Sequence, residues 1–333
     1  MPQSSLAPLH MEVEVEQWPL KVPFHITGYS MLAINAVVVT LRRDGFVGRA
    51  EAAGVYYRGD DVASMVQTLE GSRAAIEAGI DRSALLQLLP PGGARNAVDC
   101  ALWDLEAKLS GRPVWQLAGL TSPRPLLTTF TCGADEPQAM ARVALEYRGA
   151  RAIKLKLTGE PIDAERVRAV RAARADVWLS VDGNQGFDPR TLHDLMPVLM
   201  EARVALVEQP FPIGAEAQLD GIRSPIPIAA DESAQSVADV PALVGRFDVV
   251  NIKLDKCGGL TAGLAMARAA RDHGLKVMVG NMGGTSLAMA PSAVLGQICD
   301  VVDLDGPVFL RSDRPTPVQY ENGCIVCPPA LWG

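Results

Sequence analysis

The sequence predicts an α/β protein built on a (β/α)₈-type, modified TIM barrel that follows an α+β domain. The main observation is a repeat: from residue 126 onward, short β-branched runs end in polar or glycine-bearing residues and precede helical segments. Eight runs recur roughly 22–28 residues apart, the length of a βα unit. They are LLTTFTCG (126–133), AIKLKL (152–157), VWLSVDGNQG (177–186), VALVEQP (204–210), IPIAADES (226–233), VVNIKL (249–254), KVMVGN (276–281) and VVDLDGP (301–307). An open doubly wound sheet would not explain polar residues at nearly every strand end.

The first 125 residues do not follow that period. The segments MEVEVEQWPL, AINAVVVTLRRDG and FVGRAEAAGVY alternate in a way typical of an antiparallel meander. Two helical segments follow, and the second, ARNAVDCALWDLEAKLSG, ends at Gly111 with Pro113 just beyond. We therefore expect an α+β domain over residues 1–125 and a barrel over residues 126–313. The tail, residues 314–333, is too short to fold alone and is expected to complete the first domain.

Composition and charge exclude several functional classes. The net charge of −7 argues against binding to nucleic acid or an anionic membrane, since both attract clustered Lys and Arg. No apolar run is long enough to span a bilayer, and the N-terminus lacks the blocks of a signal peptide, so a cytoplasmic location is expected. The CIVC pair at 324–327 has no second pair with which to form a zinc site, and we interpret it as structural.

The second barrel strand carries two lysines inside an apolar run. Side chains of a strand alternate between its faces, so Lys154 and Lys156 share one face. Burying unpaired like charges is costly, which indicates either an exposed edge strand or an anionic partner and a chemical role. The polar residues at the other strand ends favour the second interpretation.

Three of those strand ends carry carboxylates on adjacent strands, namely Asp182, Glu208 and Asp231. The carboxyl ends of barrel strands surround one site, so the three anions should converge on a cation. Oxygen ligands without histidine favour Mg²⁺ first and Mn²⁺ second. Asn184 and Glu232 stand beside these ligands in the sequence and are expected to support them.

Lys253 on the sixth strand would face Lys156 across the barrel mouth. A substrate carboxylate at the metal would place its α-carbon between the two lysines. A divalent cation stabilises the enediolate formed on proton removal, and a lysine whose pKa is lowered by nearby positive charge can act as the base. Lys154 would supply part of that lowering and could neutralise the substrate carboxylate.

The motifs KLK, VDGN, VEQP, ADES, NIKLDKCGGLT and DLDGP, with ALWDLEAKLSGRPVWQLAG before them, cover nearly the whole chain. In this set and order the sequence resembles the mandelate racemase/muconate lactonizing group of the enolase superfamily, most closely its dipeptide epimerases of the L-Ala-D/L-Glu type. The resemblance implies Mg²⁺ on Asp182, Glu208 and Asp231. It also implies Lys156 and Lys253 as the acid/base pair, and a capping domain made from the N-terminal region and the tail.

Two opposed bases at one α-carbon allow epimerisation, that is, proton removal from one face and return to the other. On the eighth strand Asp303 and Asp305 alternate onto one face and would meet a cation. In the dipeptide epimerases such a pair resembles the site for the substrate's free α-ammonium group. The alternative is that Asp305 caps the DGP turn. The prediction is therefore a dipeptide substrate that is inverted at its C-terminal residue.

Other substrate contacts follow from position. Thr131, Asn281 and Met282 stand at the ends of the first and seventh strands. The early cap loop VPFHITGYS offers His25 and Tyr29 but lacks the arginine found in many glutamate-handling epimerases. The second cap loop, AAGVYYRGD, offers candidates for the distal side chain of the substrate, namely Tyr56, Tyr57 and Arg58.

Several functions stay open on these residues. An N-acylamino-acid racemase or an o-succinylbenzoate synthase-type enzyme is the main alternative, and the superfamily also contains cycloisomerases and dehydratases. A catalytically silent barrel would be expected to lose the ligand and lysine residues, all of which are present here. Barrel enzymes of this kind often assemble, so a homo-oligomer is expected.

Overall fold

The computed structural model describes the backbone of residues 8–26 and 29–333 and the side chains of residues 8–23 and 30–333. Its first part is an antiparallel sheet in the order β1 (His10–Ile26), β2 (Tyr29–Arg43) and β3 (Phe46–Ala52). The alternating MEVEVE segment buries Met11, whereas Glu14 faces solvent. The predicted meander is confirmed.

Helices of this part cover one face of the sheet. They are α1 (Val62–Glu77), α2 (Arg82–Leu88), α3 (Gly93–Ser110) and α4 (Val114–Leu117). Gly48 of β3 lies so close to α3 that a β-carbon would come within 2.2 Å of the Ala101 carbonyl oxygen. As the sequence indicated, α3 ends at Gly111, which adopts a left-handed conformation with φ of 64°.

The second part is an eight-stranded parallel sheet, and it confirms all eight predicted runs. Its strands are β5 (Phe130–Cys132), β6 (Ala152–Lys156), β7 (Trp178–Asp182), β8 (Val204–Glu208), β9 (Ile228–Ala230), β10 (Val249–Ile252), β11 (Lys276–Val279) and β12 (Val301–Val302). Neighbours in the sheet follow chain order. A hydrogen bond of 3.1 Å from Thr129 N to Val302 O links the first and last strands.

Helices lie between most of these strands along the chain. They are α5 (Pro137–Glu146), α6 (Asp163–Ala173), α7 (Pro189–Glu201), α8 (Val240–Leu243), α9 (Leu254–Cys257), α10 (Leu260–Asp272) and α11 (Ser286–Gly296). Within the described ranges, none has the length and apolarity to cross a membrane. The architecture is the predicted barrel with an N-terminal α+β part.

The first predicted run divides between two sheets. Leu126 and Leu127 form a short strand, β4, which pairs with the tail strand β14 (Cys324–Val326), and β14 pairs with β13 (Gln319–Glu321). The tail also reaches the N-terminal part, since Val114 N donates to Gly333 O at 2.9 Å. The tail thus contacts both parts, and the predicted boundaries at 125/126 and 313/314 remain predictions.

Candidate active site

The three predicted metal ligands lie at the carboxyl ends of neighbouring strands. Asp182 ends β7, Glu208 ends β8, and the two are paired in register, while Asp231 directly follows β9. All three are buried, and each offers an oxygen atom within 4.8 Å of those of the other two. The parallel strands therefore bring together carboxylates that are more than twenty residues apart in the chain.

Lys156 and Lys253 approach this triad from opposite sides. Lys156 ends β6, and its Nζ lies 2.7 Å from Asp182 Oδ2. Lys253 follows β10, and its Nζ lies 2.7 Å from Asp231 Oδ2. Three strands separate β6 from β10 in the sheet. The two ammonium groups consequently border one space from two directions.

Lys154 lies among the acidic groups. Its buried Nζ is 3.0 Å from Asp182 Oδ2, 2.8 Å from Glu208 Oε2 and 3.0 Å from Asp303 Oδ2. Burial lowers the pKa of Lys154, but these carboxylates outweigh burial and raise its pKa well above the usual value. Lys154 therefore carries a positive charge that balances the triad.

Lys256 was not identified from the sequence, although it balances Asp231 in the same way. Its fully buried Nζ lies 2.6 Å from Asp231 Oδ1 and donates to the Asn251 carbonyl oxygen at 3.1 Å. Asn251, also unidentified, donates from Nδ2 to Glu208 Oε1 at 2.9 Å. Lys256 follows Lys253 by three residues at a strand-to-helix turn, a spacing that does not by itself indicate a buried lysine.

The pKa of Lys253 lies above its usual value. Burial is the largest influence and lowers its pKa, but Asp231, Glu208 and Tyr57 together outweigh burial and raise the pKa above the usual value. The positive charge of Lys154 also lowers this pKa. Its effect on Lys253 is smaller than that of the Asp231 carboxylate, which is in direct contact.

The carboxyl groups themselves have divergent pKa values. Burial raises the pKa of Asp182, but Lys154 and Lys156 outweigh it and lower the pKa to about 2. Burial, together with the charge of Asp182, raises the pKa of Glu208 to about 8. Burial and the charge of Asp231 raise the pKa of Glu232 to about 7. Negative charge is thus in excess at the centre of the triad.

We call the charged residues of this region the floor. It contains four lysines and six carboxyl groups, namely Lys154, Lys156, Lys253, Lys256, Asp182, Glu208, Asp231, Glu232, Asp303 and Asp305. With every group ionised the floor has two formal negative charges in excess, which a divalent cation would balance. Glu232 Oε2 and Asn184 Oδ1 are buried and accept no hydrogen bond from the described residues. The all-oxygen donor set therefore fits Mg²⁺ or Mn²⁺.

The strand-eight aspartates lie at the side of this floor. Asp303 contacts Lys154 and accepts a hydrogen bond from Thr129 Oγ1 at 2.5 Å. Asp305 Oδ2 accepts one from the Thr131 backbone N–H at 2.7 Å, and burial, with the charge of Asp303, raises the pKa of Asp305 to about 7. Both line the cavity above the floor, as does Asn281, whose Nδ2 donates to Asp303 O at 2.8 Å.

Five apolar residues line one side of the cavity, and we call them the wall: Leu20, Met31, Ile34, Met282 and Phe309. Tyr56, Tyr57, Thr131 and Asn184 also line the cavity.

The cap-loop candidates have different positions. Tyr57 accepts a hydrogen bond at its hydroxyl from Gln235 Nε2 at 2.9 Å. Arg58 is exposed and donates to Gln235 Oε1 at 3.0 Å instead of lining the cavity. The side chains of His25 and Tyr29 lie outside the described residues.

Two buried carboxylates attach the N-terminal part (β1 to α4), which we call the cap, to the barrel. Asp255 Oδ1 accepts hydrogen bonds from the backbone N–H groups of Ala53 and Gly54 at 2.9 and 3.0 Å. Glu51 accepts from Thr285 N at 2.8 Å and lies 2.7 Å from Arg314 of the tail. These contacts fix the second cap loop and the wall over the floor.

Two family models match the chain. The model described as "Mandelate racemase / muconate lactonizing enzyme, N-terminal domain" matches residues 9–119, and "Enolase C-terminal domain-like" matches residues 137–331. Together they span both parts of the fold.

Two similar proteins cover most of the chain. An L-Ala-D/L-Glu epimerase from Escherichia coli is 38% identical over 94% of this chain and 98% of its own length. An N-acetyl-D-glutamate racemase from a Pseudoalteromonas species is also 38% identical, over 89% of this chain and 95% of its own.

Solved structures agree with these matches. An enolase family member from Agrobacterium tumefaciens, described as homologous to dipeptide epimerases and holding sodium and L-Ala-L-Glu, has a TM-score of 0.95 at 37% identity and covers 98% of this chain and 100% of that chain. A dipeptide epimerase from Methylococcus capsulatus with Mg and L-Arg-D-Lys has a TM-score of 0.89 at 30% identity and covers 96% of this chain and 97% of that chain. The chain belongs to the mandelate racemase/muconate lactonizing enzyme group of the enolase superfamily and, within it, to the dipeptide epimerases, a family of isomerases.

Proposed function

We propose that this enzyme epimerises dipeptides at the α-carbon of their C-terminal residue, with Lys156 and Lys253 as the two acid/base groups. The observation that carries the proposal is their opposed placement. Each Nζ lies 2.7 Å from an outer carboxylate of one triad, on strands at opposite sides of the barrel mouth. One lysine can remove the α-proton from one face while the other returns a proton to the opposite face.

Asp182, Glu208 and Asp231 would hold Mg²⁺, which when bound stabilises the negative charge that develops on the substrate carboxylate. The fit rests on the oxygen-only donors, the two excess negative charges and the unpaired oxygens of Glu232 and Asn184. Lys154 contacts Asp182 Oδ2, the oxygen that Lys156 also contacts, and Lys256 contacts Asp231 Oδ1. Both would hold these ligands in place. The Methylococcus capsulatus neighbour contains Mg together with a dipeptide, which supports this choice.

Asp303 and Asp305 would receive the free ammonium group of the dipeptide. They line the cavity beside Thr131, and the buried carboxyl group of Asp305 accepts a hydrogen bond from the Thr131 backbone N–H. An ammonium group in this position would replace solvation that the carboxyl group has lost on burial. The dipeptides in the names of the relatives and neighbours support the same substrate class.

A second candidate is racemisation of N-acylamino acids. It is favoured by the contact between Asp303 and Lys154, which already balances one of the two aspartates, and by the N-acetyl-D-glutamate racemase at 38% identity. An N-acyl substrate has no ammonium group, so it would leave the Asp305 carboxyl without a cationic partner. The two candidates therefore differ in whether the substrate supplies a cationic partner for Asp305.

Proton exchange in D₂O tests the proposal. The enzyme with Mg²⁺ is incubated with L,L-dipeptides and with N-acetylamino acids, and deuterium at the α-carbon is followed by NMR together with the configuration of the product. Deuterium in the C-terminal residue of dipeptides, with inversion and with loss of activity in EDTA, is expected. Exchange confined to N-acyl substrates would transfer the assignment to the racemase, and exchange on neither would reject both.

A further inference from the structure

The cavity has chemically distinct regions, and the wall is the region that the proposed mechanism does not use. Leu20 and Ile34 of the wall are at most 6% exposed and form a small hydrophobic cluster with Leu310, against which Met31 and Phe309 pack. This cluster joins the cap hairpin to the segment after β12: Leu20 and Leu310 form a backbone bridge, and Arg311 N donates to Pro19 O at 2.9 Å. The wall is therefore a packed hydrophobic surface that backbone contacts hold in place.

The cationic lining of the cavity is confined to the floor. Among the described residues that line it, the cations are Lys154, Lys156 and Lys253, and each lies within 3.0 Å of a carboxylate of the floor. Arg58 donates to Gln235, and the exposed Lys21 donates to Val308 O at 2.7 Å. The described wall thus offers no cation to an anionic side chain.

The proposed reaction determines which substrate group meets the wall. Inversion requires the α-hydrogen to lie along the line between Lys156 and Lys253. The other three substituents of the α-carbon therefore point away from that line. The carboxylate is directed to the triad, and the amide nitrogen leads to the ammonium site at Asp303 and Asp305. The remaining direction, away from the triad, is that of the side chain, and it faces the cap.

We propose, on the basis of the function proposed above, that the wall binds an uncharged, apolar side chain on the inverted residue, with Met31, Ile34 and Met282 as specificity-determining residues. An apolar side chain would lose water against a surface that is already apolar. A glutamate side chain would bury a carboxylate against the same surface without a partner, which is costly. The preferred substrates are therefore dipeptides that end in leucine, methionine or a similar residue.

The test compares three dipeptides of related size. Values of kcat/KM for epimerisation are measured with Mg²⁺ for L-Ala-L-Leu, L-Ala-L-Gln and L-Ala-L-Glu. The neutral glutamine peptide separates the effect of charge from that of shape. We expect the order leucine, glutamine, glutamate, with leucine favoured over glutamate by about tenfold or more, as hydrophobic pockets commonly discriminate.

A positive charge placed in the wall should weaken or remove the preference for leucine over glutamate. Met31→Arg and Met282→Arg replace half-buried cavity-lining residues with a cation, and each is expected to lower the leucine-to-glutamate ratio about tenfold or more, mainly by raising kcat/KM for glutamate. Leu32→Arg is the matched control because Leu32, next to Met31 on the opposite face of β2, is 72% exposed and does not line the cavity. Its ratio should equal that of the wild type.

The outcomes separate the two proposals. A wild-type enzyme that turns over dipeptides but prefers glutamate overturns the wall proposal alone, and so do Met31→Arg and Met282→Arg variants that fold and leave the ratio unchanged. An enzyme that exchanges the α-proton of no dipeptide overturns both the wall proposal and the proposed function.

Discussion

The floor and the wall of the cavity are built in opposite ways. The floor consists of charged groups that lie on or shortly after strands of one sheet, and each floor lysine contacts at least one carboxylate at 3.0 Å or less. The wall consists of apolar groups from β1, β2, the loop after β11 and the segment after β12, which lie up to almost three hundred residues apart. The floor is held by ion pairs and register, whereas the wall is held by hydrophobic packing and by the attachment of the cap.

This difference separates the residues proposed to transfer protons from those proposed to select the substrate side chain. Proton transfer needs groups at fixed distances, which the strands of a closed barrel supply. Selection among side chains needs a surface that can change without moving those groups, which the cap supplies. Changes in the floor should therefore remove turnover for every substrate, and changes in the wall should alter preference or the attachment of the cap.

The largest effect is expected for the two opposed lysines. Lys156→Ala and Lys253→Ala should each reduce inversion about 10³-fold or more, because either change leaves one face of the α-carbon without an acid/base group. The remaining lysine can still reach its own face. Each variant should therefore exchange the α-proton of only one of the two epimers in D₂O, and the two variants should choose opposite epimers.

Lys276→Ala, on the exposed side of β11, provides the control and should keep full activity. Undiminished inversion in either Lys156→Ala or Lys253→Ala would contradict the two-base mechanism.

The next largest effect concerns the attachment of the wall. Arg314 lies 2.6 Å from Glu16 and 2.7 Å from the fully buried Glu51. Arg314→Met leaves Glu51 without its cation, so the free energy of unfolding should fall by about 3 kcal/mol. Urea unfolding followed by tryptophan fluorescence measures this, since Arg314 also lies over the Trp18 ring.

Arg246 is a matched arginine whose pair with Asp220 is partly exposed. Arg246→Met should change the same free energy much less, because solvent screens this pair. Equal losses in the two arginine variants would mean that the buried carboxylate does not depend on its pairing.

A smaller effect is expected where a glycine gives a floor lysine its space. A β-carbon on Gly280 would lie 2.7 Å from Asn251 Oδ1 and 3.0 Å from Lys253 Cε. Gly280→Ala should displace Lys253 and lower kcat about tenfold, with little change in the leucine-to-glutamate ratio. Steady-state kinetics with both dipeptides checks this. Gly71→Ala, where the space is open, should leave kcat unchanged. A shifted ratio in Gly280→Ala would show that floor and wall are not independent.

The smallest effect is a pH dependence at the cap. Burial raises the pKa of Asp255 to about 7, above its usual value of 3.8. The folded protein therefore binds a proton that the unfolded chain has lost in this range, so this contribution to stability is present at low pH and decreases as pH rises toward 7. Between pH 5 and 6 this decrease in the free energy of unfolding amounts to about 1 kcal/mol per pH unit, and it should be absent from the Asp255→Asn variant.

The measurement is the difference in unfolding free energy between wild type and Asp255→Asn at pH 5, 6 and 8. A difference that does not change with pH would show that the carboxyl group does not titrate in this window.

The floor could be predicted from the sequence more fully than the wall. The positions of Lys154, Lys156, Asp182, Glu208 and Asp231 could be predicted because a charged residue at the end of an apolar strand is visible in the sequence, and parallel strands bring their ends together. Lys256 was missed since it lies in the short helix α9, where a lysine is ordinary, and only the fold brings its Nζ to Asp231.

The fold class, the eight strands and the charged residues at their ends follow from the sequence, because β-branched runs, helical spacing and polar strand ends are local patterns. Three features depend on the folded chain: LLTTFTCG divides between two sheets, Arg58 contacts Gln235 and not the cavity, and Met31, Ile34 and Met282 share a surface. Apolar residues look alike in a sequence, and which of them face a cavity depends on how distant segments pack.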